Sequence, residues 1–399
     1  MRILIIHNEY GRFSGEEAVV EANAALLKEH GHVVERVSRT SAEIMASRTR
    51  QIKAFFSGIH SPRSRRAVLD AVHKAKPDVA HVHNLYPLLS PSILPVLTSQ
   101  GVPVVMTVHN YRLLCPNGLF LSGGAVCERC SGGREWWCAL KNCERSVPKS
   151  VAYAVRNWAA RVMGYYRKNV SAYAVLTEFQ RSKLCAAGFP SDRMHLLPNC
   201  LSHTALEEPG NTPTGSYVAF IGRMSHEKGI DVILHAAKLC PDIPLRLAGS
   251  FERLPELPKR LPGNVVLTGH LSAAELRRHV SEARLLLFPS VWYEGFPMSL
   301  LDALAAGTPV VCSRIGGLPE IIEDGVTGRL FTAGDAQACA RAIGELWSNP
   351  ALARQMGTAG QQKTRQEYTP QRYYERLMAT YDAAMANPLP DEEPHHANS

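Results

Sequence analysis

The chain has 399 residues, too many for one ordinary hydrophobic core, and its 45% apolar and 20% charged content lies close to globular averages. That composition excludes a disordered chain, and no run approaches the roughly 18 to 20 apolar residues of a membrane-spanning helix. The formal net charge of +8 and the pI near 9.0 point to an anionic partner, whether nucleic acid, a phosphate-bearing ligand or an anionic membrane surface.

From the first residue, short apolar runs alternate with helical spacing. Residues 2–7 read as a strand, and the run ends at His7-Asn8-Glu9 without a small-residue cleavage site, so it is a first buried strand and not a signal peptide. A cytoplasmic location is therefore expected, where ten cysteines stay reduced. Residues 16–30 carry apolar positions at helical spacing until Gly31 stops them, and further strands are predicted at 33–37, 78–83 and 102–109. Buried strands separated by helices predict a parallel sheet covered on both faces. Residues 115–149, rich in Gly, Cys and charge, interrupt the alternation as an inserted loop or lid. A long helical pattern over 150–169 and strands at 172–177 and 194–198 complete a first domain. Residues 201–215 have linker composition. A second series follows, with strands at 217–221, 245–248, 265–268, 285–289 and 309–313, then a helix at 367–386 and a disordered tail at 387–399.

Two segments carry the chemistry. Gly222-Arg223-Met224-Ser225-His226-Glu227-Lys228-Gly229 follows a predicted strand directly, placing a glycine turn and two cations where α/β proteins bind phosphates. Arg223 offers a planar fork and Lys228 a compact point charge; a solvated basic loop is the competing reading. The second segment, 290–309, runs strand, loop, helix. Glu294 lies in its loop and Asp302 is expected in the first helical turn, with the N–H groups of Met298 to Leu300 free to meet phosphate oxygens. Ser299-x-x-Asp302 also reads as a capping box, so Asp302 is either a ribose acceptor or a cap. Glu294 resists a structural explanation, because a carboxylate among Trp292, Tyr293 and Phe296 is costly without a polar partner.

Gly222-Arg223 through Lys228-Gly229, followed by Glu294-Gly295-Phe296, resembles the retaining glycosyltransferase family 4 (glycosyl transferases group 1), and the resemblance runs from Met1 to about Ala386. It implies the GT-B fold: two Rossmann-like, doubly wound α/β domains facing across a cleft. On this reading residues 1–200 form the acceptor-side domain with the Cys-rich insert 115–149, joined by the helix at about 367–386, and residues 201–366 form the nucleotide-sugar-binding domain. The resemblance makes Arg223 and Lys228 ligands of the donor diphosphate and Glu294 the first acid of a Glu-x7-Glu motif, contacting the transferred sugar. Asp302 stands at the second acid position, one methylene shorter than the usual Glu. Gly295, Phe296, Pro297 and Met298 match the loop that wraps sugar and phosphate. In the N-terminal half, Ser14-Gly15 replaces the usual Gly-Gly pair, leaving Gly15 beside the donor phosphates, and His109 within Thr107-Val108-His109-Asn110-Tyr111 would face the reacting sugar. A structural histidine at a strand end is the other reading of His109.

The implied reaction retains anomeric configuration, moving a hexosyl group from a nucleotide diphosphate sugar to a saccharide or lipid-linked acceptor in cell-surface polysaccharide or glycolipid synthesis. No cofactor is required for catalysis on this reading. Cys127, Cys130, Cys138 and Cys143 are spaced to offer a structural zinc site in which Cys115 could replace any one ligand, against ordinary reduced thiols and disulfide or redox use. Basic and aromatic residues in 150–169 (Arg156, Arg161, Arg167, Lys168 with Tyr153, Trp158, Tyr165, Tyr166) and in 53–66 suit peripheral contact with an anionic membrane, at the inner face of the cytoplasmic membrane; core aromatics with the cations as a wet face is the competing reading. A zinc-stabilised nucleic-acid-binding protein would leave the Glu294–Asp302 segment without a role, and no nucleic-acid partner is expected. A GT-B phosphorylase or epimerase keeps the fold and changes the reaction. A nicotinamide dehydrogenase is disfavoured because the first βα turn lacks Gly-x-Gly-x-x-Gly.

Overall fold

Runs of Ile, Val, Leu and Ala, short and bounded by turn residues, form strands that are buried where helices cover both faces. The computed structural model describes residues 1–9, 15–40, 57–207 and 215–386. The first sheet contains β1 (Arg2–Glu9), β2 (Val33–Thr40), β3 (Val79–Val82) and β4 (Val104–Val108). A two-stranded hairpin, β5 (Leu121–Ser122) with β6 (Ala125–Val126), precedes β7 (Ala172–Val175) and β8 (Met194–Leu196). The six long-range strands are all parallel in the order β2-β1-β3-β4-β7-β8. β3, β4 and β7 are buried at every position, whereas edge strand β2 is largely exposed.

The second sheet contains β9 (Val218–Ile221), β10 (Leu245–Ala248), β11 (Val265–Gly269), β12 (Leu285–Phe288), β13 (Val310–Arg314) and β14 (Gly328–Thr332). Its order, β11-β10-β9-β12-β13-β14, is again fully parallel. In both sheets the chain winds outward one way from a central strand and then the other way. That places a topological switch point between β1 and β3 in the first sheet and between β9 and β12 in the second, where doubly wound sheets bind ligands.

The chain separates into two units: Met1–Gly118, Glu128–Leu197 and the described part of Tyr374–Ser399 make the first, and Leu119–Cys127 with Pro198–Tyr373 make the second. The helix Pro370–Ala386 contributes Tyr374 and Tyr381 to the first unit, where Tyr374 stacks on His30 and the Tyr381 hydroxyl lies 2.7 Å from His81 Nδ1.

Several elements differ from the sequence expectations. The 115–149 insert contains the β5–β6 hairpin and a short helix, Trp136–Leu140. The long helix begins earlier, at Val147, with Pro148 in its first turn, and it stops at Val162 because Gly164 takes a left-handed φ of 67°; a second helix, Tyr165–Asn169, follows. The supposed linker carries the helix His203–Glu207. Strand β14 and the helices Ala336–Ser348 and Pro350–Glu367 fill the stretch left unassigned before 367. The tail at 387–399, Ser14, and Lys53, Phe55 and Phe56 lie outside the described residues.

The basic-aromatic pattern in 150–169 is not one outward face. Arg156 and Tyr166 are buried, and the Arg156 guanidinium lies 3.8 Å from the Tyr86 ring centroid and 4.3 Å from that of Tyr153. Desolvation there is offset by cation–π contact, a packing role that spacing alone does not reveal.

Candidate functional site

Both chemistry-bearing loops emerge at the switch point of the second sheet, one after β9 and one after β12. The first closes in a short turn, His226–Lys228, ended by Gly229 at φ 77°. A Cβ at Gly229 would lie 1.9 Å from the carbonyl oxygen of Pro289, so only glycine lets this turn approach the exit of β12. The Val291 N–H donates to the Glu227 carbonyl at 3.0 Å and fastens the two loops together. That approach delivers Lys228 to Glu294.

Glu294 is 6% exposed, and its cost of burial is met by three donors. Lys228 Nζ lies 2.8 Å from Oε1 and 3.0 Å from Oε2, the Ser290 hydroxyl donates to Oε1 at 2.5 Å, and the Trp292 indole N–H donates to Oε1 at 2.8 Å. Lys228 Nζ also sits 5.5 Å from the Trp292 ring centroid and 5.6 Å from that of Phe288. The carboxylate is thus fixed in position, with one lysine oriented by two aromatic walls.

Arg223 and Arg253 converge on Glu227, with guanidinium nitrogens 3.5 and 3.3 Å from its Oε1. Burial alone would push the Glu227 carboxyl up. Hydrogen bonds from its own backbone N–H and Ser225, with both arginines, outweigh that and hold it below the usual carboxylate range. Burial, and then the charge of Arg253, lower Arg223 from its ordinary value. Arg253 was not singled out from the sequence, since it lies in the turn-rich stretch after β10 with no pattern to mark it.

The second loop leads into the helix Met298–Ala305. Pro297 is its N-cap residue and no side chain caps it, so the expected capping box is absent. Because the helix starts at Met298, Asp302 is its fifth residue and lies beyond the first turn. Burial pushes the Asp302 carboxyl up to about 6, partly opposed by Arg277. Phe296 is buried edge-on against Tyr368, 5.8 Å between centroids, and its carbonyl accepts from Asn199 Nδ2 at 3.4 Å. Tyr293 packs on Phe120 at 6.0 Å, so the lead-in to the β5–β6 hairpin supports this loop from beneath. Gly295, Pro297 and Met298 are half-buried along the same loop.

In the first unit, His109 follows β4, and its Nε2 lies 2.8 Å from His83 Nδ1. His83 stacks on both His109 and His81, with centroids 5.1 and 4.2 Å apart, and His7 meets it edge-on at 6.2 Å. His81 is held by Tyr381 and by Thr107, whose Oγ1 is 2.7 Å from its Nε2. Burial lowers His109 to about 4 and His81 to about 3, and drives His83 well below its ordinary value, so the row is neutral at pH 7. Sequence reading found His109 alone. His81-x-His83 carried a signal, since residues two apart share a strand face, but the third imidazole comes from a neighbouring strand. Gly15 is exposed at the first turn of the helix Gly15–Glu29, and a Cβ there would meet nothing within 4 Å. Gly15 therefore leaves open space without being sterically required.

Of the four cysteines expected to share zinc, Cys130, Cys138 and Cys143 pack in one cluster with Ala154, and Cys115 joins them through Cys130. Cys127 follows the β5–β6 hairpin; Cys130 hydrogen-bonds with Cys115, and Cys138 with Cys143. These hydrogen bonds, with burial, push the Cys130 and Cys138 thiols up. Among the described residues no group of three or more His, Cys, Asp or Glu side chains is placed to hold a metal ion.

Two doubly wound parallel units in one chain define the GT-B class. The sucrose-phosphate synthase of Thermosynechococcus elongatus superposes with a TM-score of 0.71 over 96% of this chain and 99% of that one, at 18% identity. HepE of Anabaena, solved with UDP and glucose, superposes with a TM-score of 0.67 over 96% and 100%, at 17% identity. Residues 14–200 match the glycosyl transferase 4-like domain and residues 204–363 match glycosyl transferases group 1. Alpha-maltose-1-phosphate synthase of Mycolicibacterium smegmatis is 27% identical over 336 residues, 76% of this chain and 78% of that protein. A GDP-mannose-dependent phosphatidylinositol monomannoside mannosyltransferase of the same organism is 29% identical over 46% of this chain and 55% of that protein. The chain belongs to the group 1, family 4-like glycosyltransferases.

Proposed function

We propose that this glycosyltransferase moves a hexosyl group from a nucleotide diphosphate sugar to a saccharide or lipid-linked acceptor with retention of anomeric configuration, in cell-surface polysaccharide or glycolipid synthesis. The observation that carries the reading is the buried Glu294 carboxylate, fixed by Lys228, Ser290 and Trp292 beside a helix start that no side chain caps. Lys228 and Arg223 take the donor diphosphate together with the N–H groups of Met298 to Leu300, while Glu294 accepts from hydroxyls of the transferred sugar. Asp302 accepts from the ribose diol, and Gly295 to Met298 wrap sugar and phosphate. In the first unit the family resemblance gives His109, a neutral imidazole, the role of a sugar contact and Gly15 that of a phosphate contact.

In the reaction the acceptor oxygen bonds to the anomeric carbon on the face from which the diphosphate departs. The anomeric carbon–oxygen bond to phosphate breaks, and the acceptor's hydroxyl proton passes to the leaving diphosphate. No enzymic nucleophile takes part. The charge that grows on the leaving group is stabilised by Lys228, Arg223 and the helix start, the electrostatic contribution expected to lower the barrier most. Similarity to a UDP-bound and to a GDP-mannose-dependent protein supports the donor class and leaves the nucleobase open. The test is the product: the one-bond coupling between the anomeric carbon and its proton, measured by NMR, shows an α-linkage from an α-linked donor, whereas inversion to β refutes retention. Glu294→Gln should abolish transfer and keep nucleotide binding; equal loss of binding in Glu294→Gln and Lys228→Met would reject this division of roles.

A further inference from the structure

Among the described residues thirteen large apolar side chains are exposed, and eight of them fall between positions 136 and 163: Trp136, Leu140, Val147, Val151, Val155, Trp158, Val162 and Met163. Single exposed apolar residues need no explanation, but this concentration does. Val147, Val151, Val155, Trp158 and Val162 belong to one helix, and at 3.6 residues per turn they fall within about 80° of its circumference. Trp158 is 52% and Val162 59% exposed. The opposite face, with Arg156, Asn157, Ala159 and Ala160, is buried, so the helix is two-sided with the stripe outward. The short helix Trp136–Leu140 packs against it through Cys138 and Ala154 and is tied by the Glu135–Arg161 ion pair at 2.6 Å, leaving Trp136 and Leu140 outward.

Charge selects the occupant. Between positions 128 and 168 the chain carries nine lysines and arginines against three glutamates. Of these, Lys141 and Arg145 are exposed at the start of the stripe beside Lys149, which pairs with Glu144, and Arg167 and Lys168 are exposed at its end beside Arg161, which pairs with Glu135. A second copy of the same basic patch would meet like charge, which disfavours a symmetric dimer through this face. An apolar stripe with tryptophan at its edge and cations on both flanks matches the interface of an anionic bilayer. No described helix is long and apolar enough to cross a membrane, so this one would lie in the headgroup plane.

We propose that the outward face of the Val147–Val162 helix, with Trp136 and Leu140 of the adjoining short helix, seats the protein on an anionic lipid surface. The proposal stands on exposure and charge and does not depend on the reaction assigned above. It is tested with the full chain and sedimented vesicles of phosphatidylcholine alone or mixed with phosphatidylglycerol. The protein should pellet with the mixed vesicles, far less with phosphatidylcholine, and less as salt rises. The triple variant Val155→Ser, Trp158→Ser, Val162→Ser should lose binding at an unchanged melting temperature. Leu239→Ser and Val266→Ser, at exposed positions of the second unit, should bind as the parent does. Lys141→Gln and Arg145→Gln, which leave the stripe intact, should each lower partitioning about fivefold, keeping the test decisive if the triple variant misfolds. Absence of binding to either vesicle, equal binding to both, an unaffected triple variant, or a dimer in solution that the triple variant dissociates would each overturn the proposal.

Discussion

Removing one partner of the Lys228–Glu294 pair should reveal its energetic character. Lys228→Met leaves the Glu294 carboxylate, 6% exposed, without its lysine and with the Ser290 and Trp292 donors still in place. Stripping one partner from a buried pair costs about 3–5 kcal/mol. The two remaining donors reduce this, giving about 2–3 kcal/mol and a fall in melting temperature of roughly 5–10 °C for a unit of this size. Glu294→Gln should cost less, since the amide still accepts through its oxygen. The double variant Lys228→Met, Glu294→Gln should be more stable than the sum of the single losses by about 1 kcal/mol or more, because no isolated charge remains buried. Urea unfolding of the four proteins measures this cycle. If the single losses add to within about 0.5 kcal/mol, the two side chains are not coupled and the site geometry described above is wrong.

Asp302→Asn should raise stability at pH 7 and have little effect at pH 4. The folded carboxyl is pushed up to about 6 from an ordinary 3.8, so the native state loses stability as pH rises through that window, and a neutral amide removes the loss; an unchanged pH profile in thermal unfolding would refute it. His81, lowered to about 3 from 6.5, acts in the opposite sense: stability is complete above pH 6.5 and falls by up to about 1.4 kcal/mol per pH unit as pH drops toward 3. His81→Gln should flatten that acid limb, and a limb as steep as the parent's would contradict the burial argument. Gly229→Ala should destabilise the protein by about 1–3 kcal/mol and weaken nucleotide binding together, since the turn that carries Lys228 must withdraw from Pro289; intact nucleotide affinity by calorimetry would show that the turn does not position Lys228. His83→Phe should leave His109 in place without its partner and lower the turnover rate more than it raises the donor KM; a change confined to KM would argue against a positioning role.

Much of the scaffold was legible because buried parallel strands are near-continuous apolar runs, and β1, β4, β9, β10 and β12 all were. Strand β14 was not, because Gly-Arg-Leu-Phe-Thr is a half-exposed edge with no such run. The loop carrying Glu294 stood out because a carboxylate among aromatics has no cheap structural explanation, and the Lys228 contact across 66 positions supplies one. Spacing could not supply it, since the contact depends on the turn at Gly229 meeting Pro289. Asp302 lies two residues further into its helix than a box capped by Ser299 would put it, because a capping box and an ordinary helix interior share the same Ser-x-x-Asp letters. The faces of the basic aromatic helix are not legible in the sequence, as composition cannot tell Arg156, stacked on Tyr86, from Arg161 at the surface.

The most direct measurement is thermal unfolding of the parent and Lys228→Met with UDP, GDP, ADP and their sugar conjugates. A ligand that binds only the folded state raises the melting temperature by linkage. One nucleotide family should stabilise the parent and fail to stabilise Lys228→Met, which places the donor diphosphate at Lys228 and names the base. Stabilisation of neither protein at millimolar ligand, or of both equally, would contradict the assignment of the donor site.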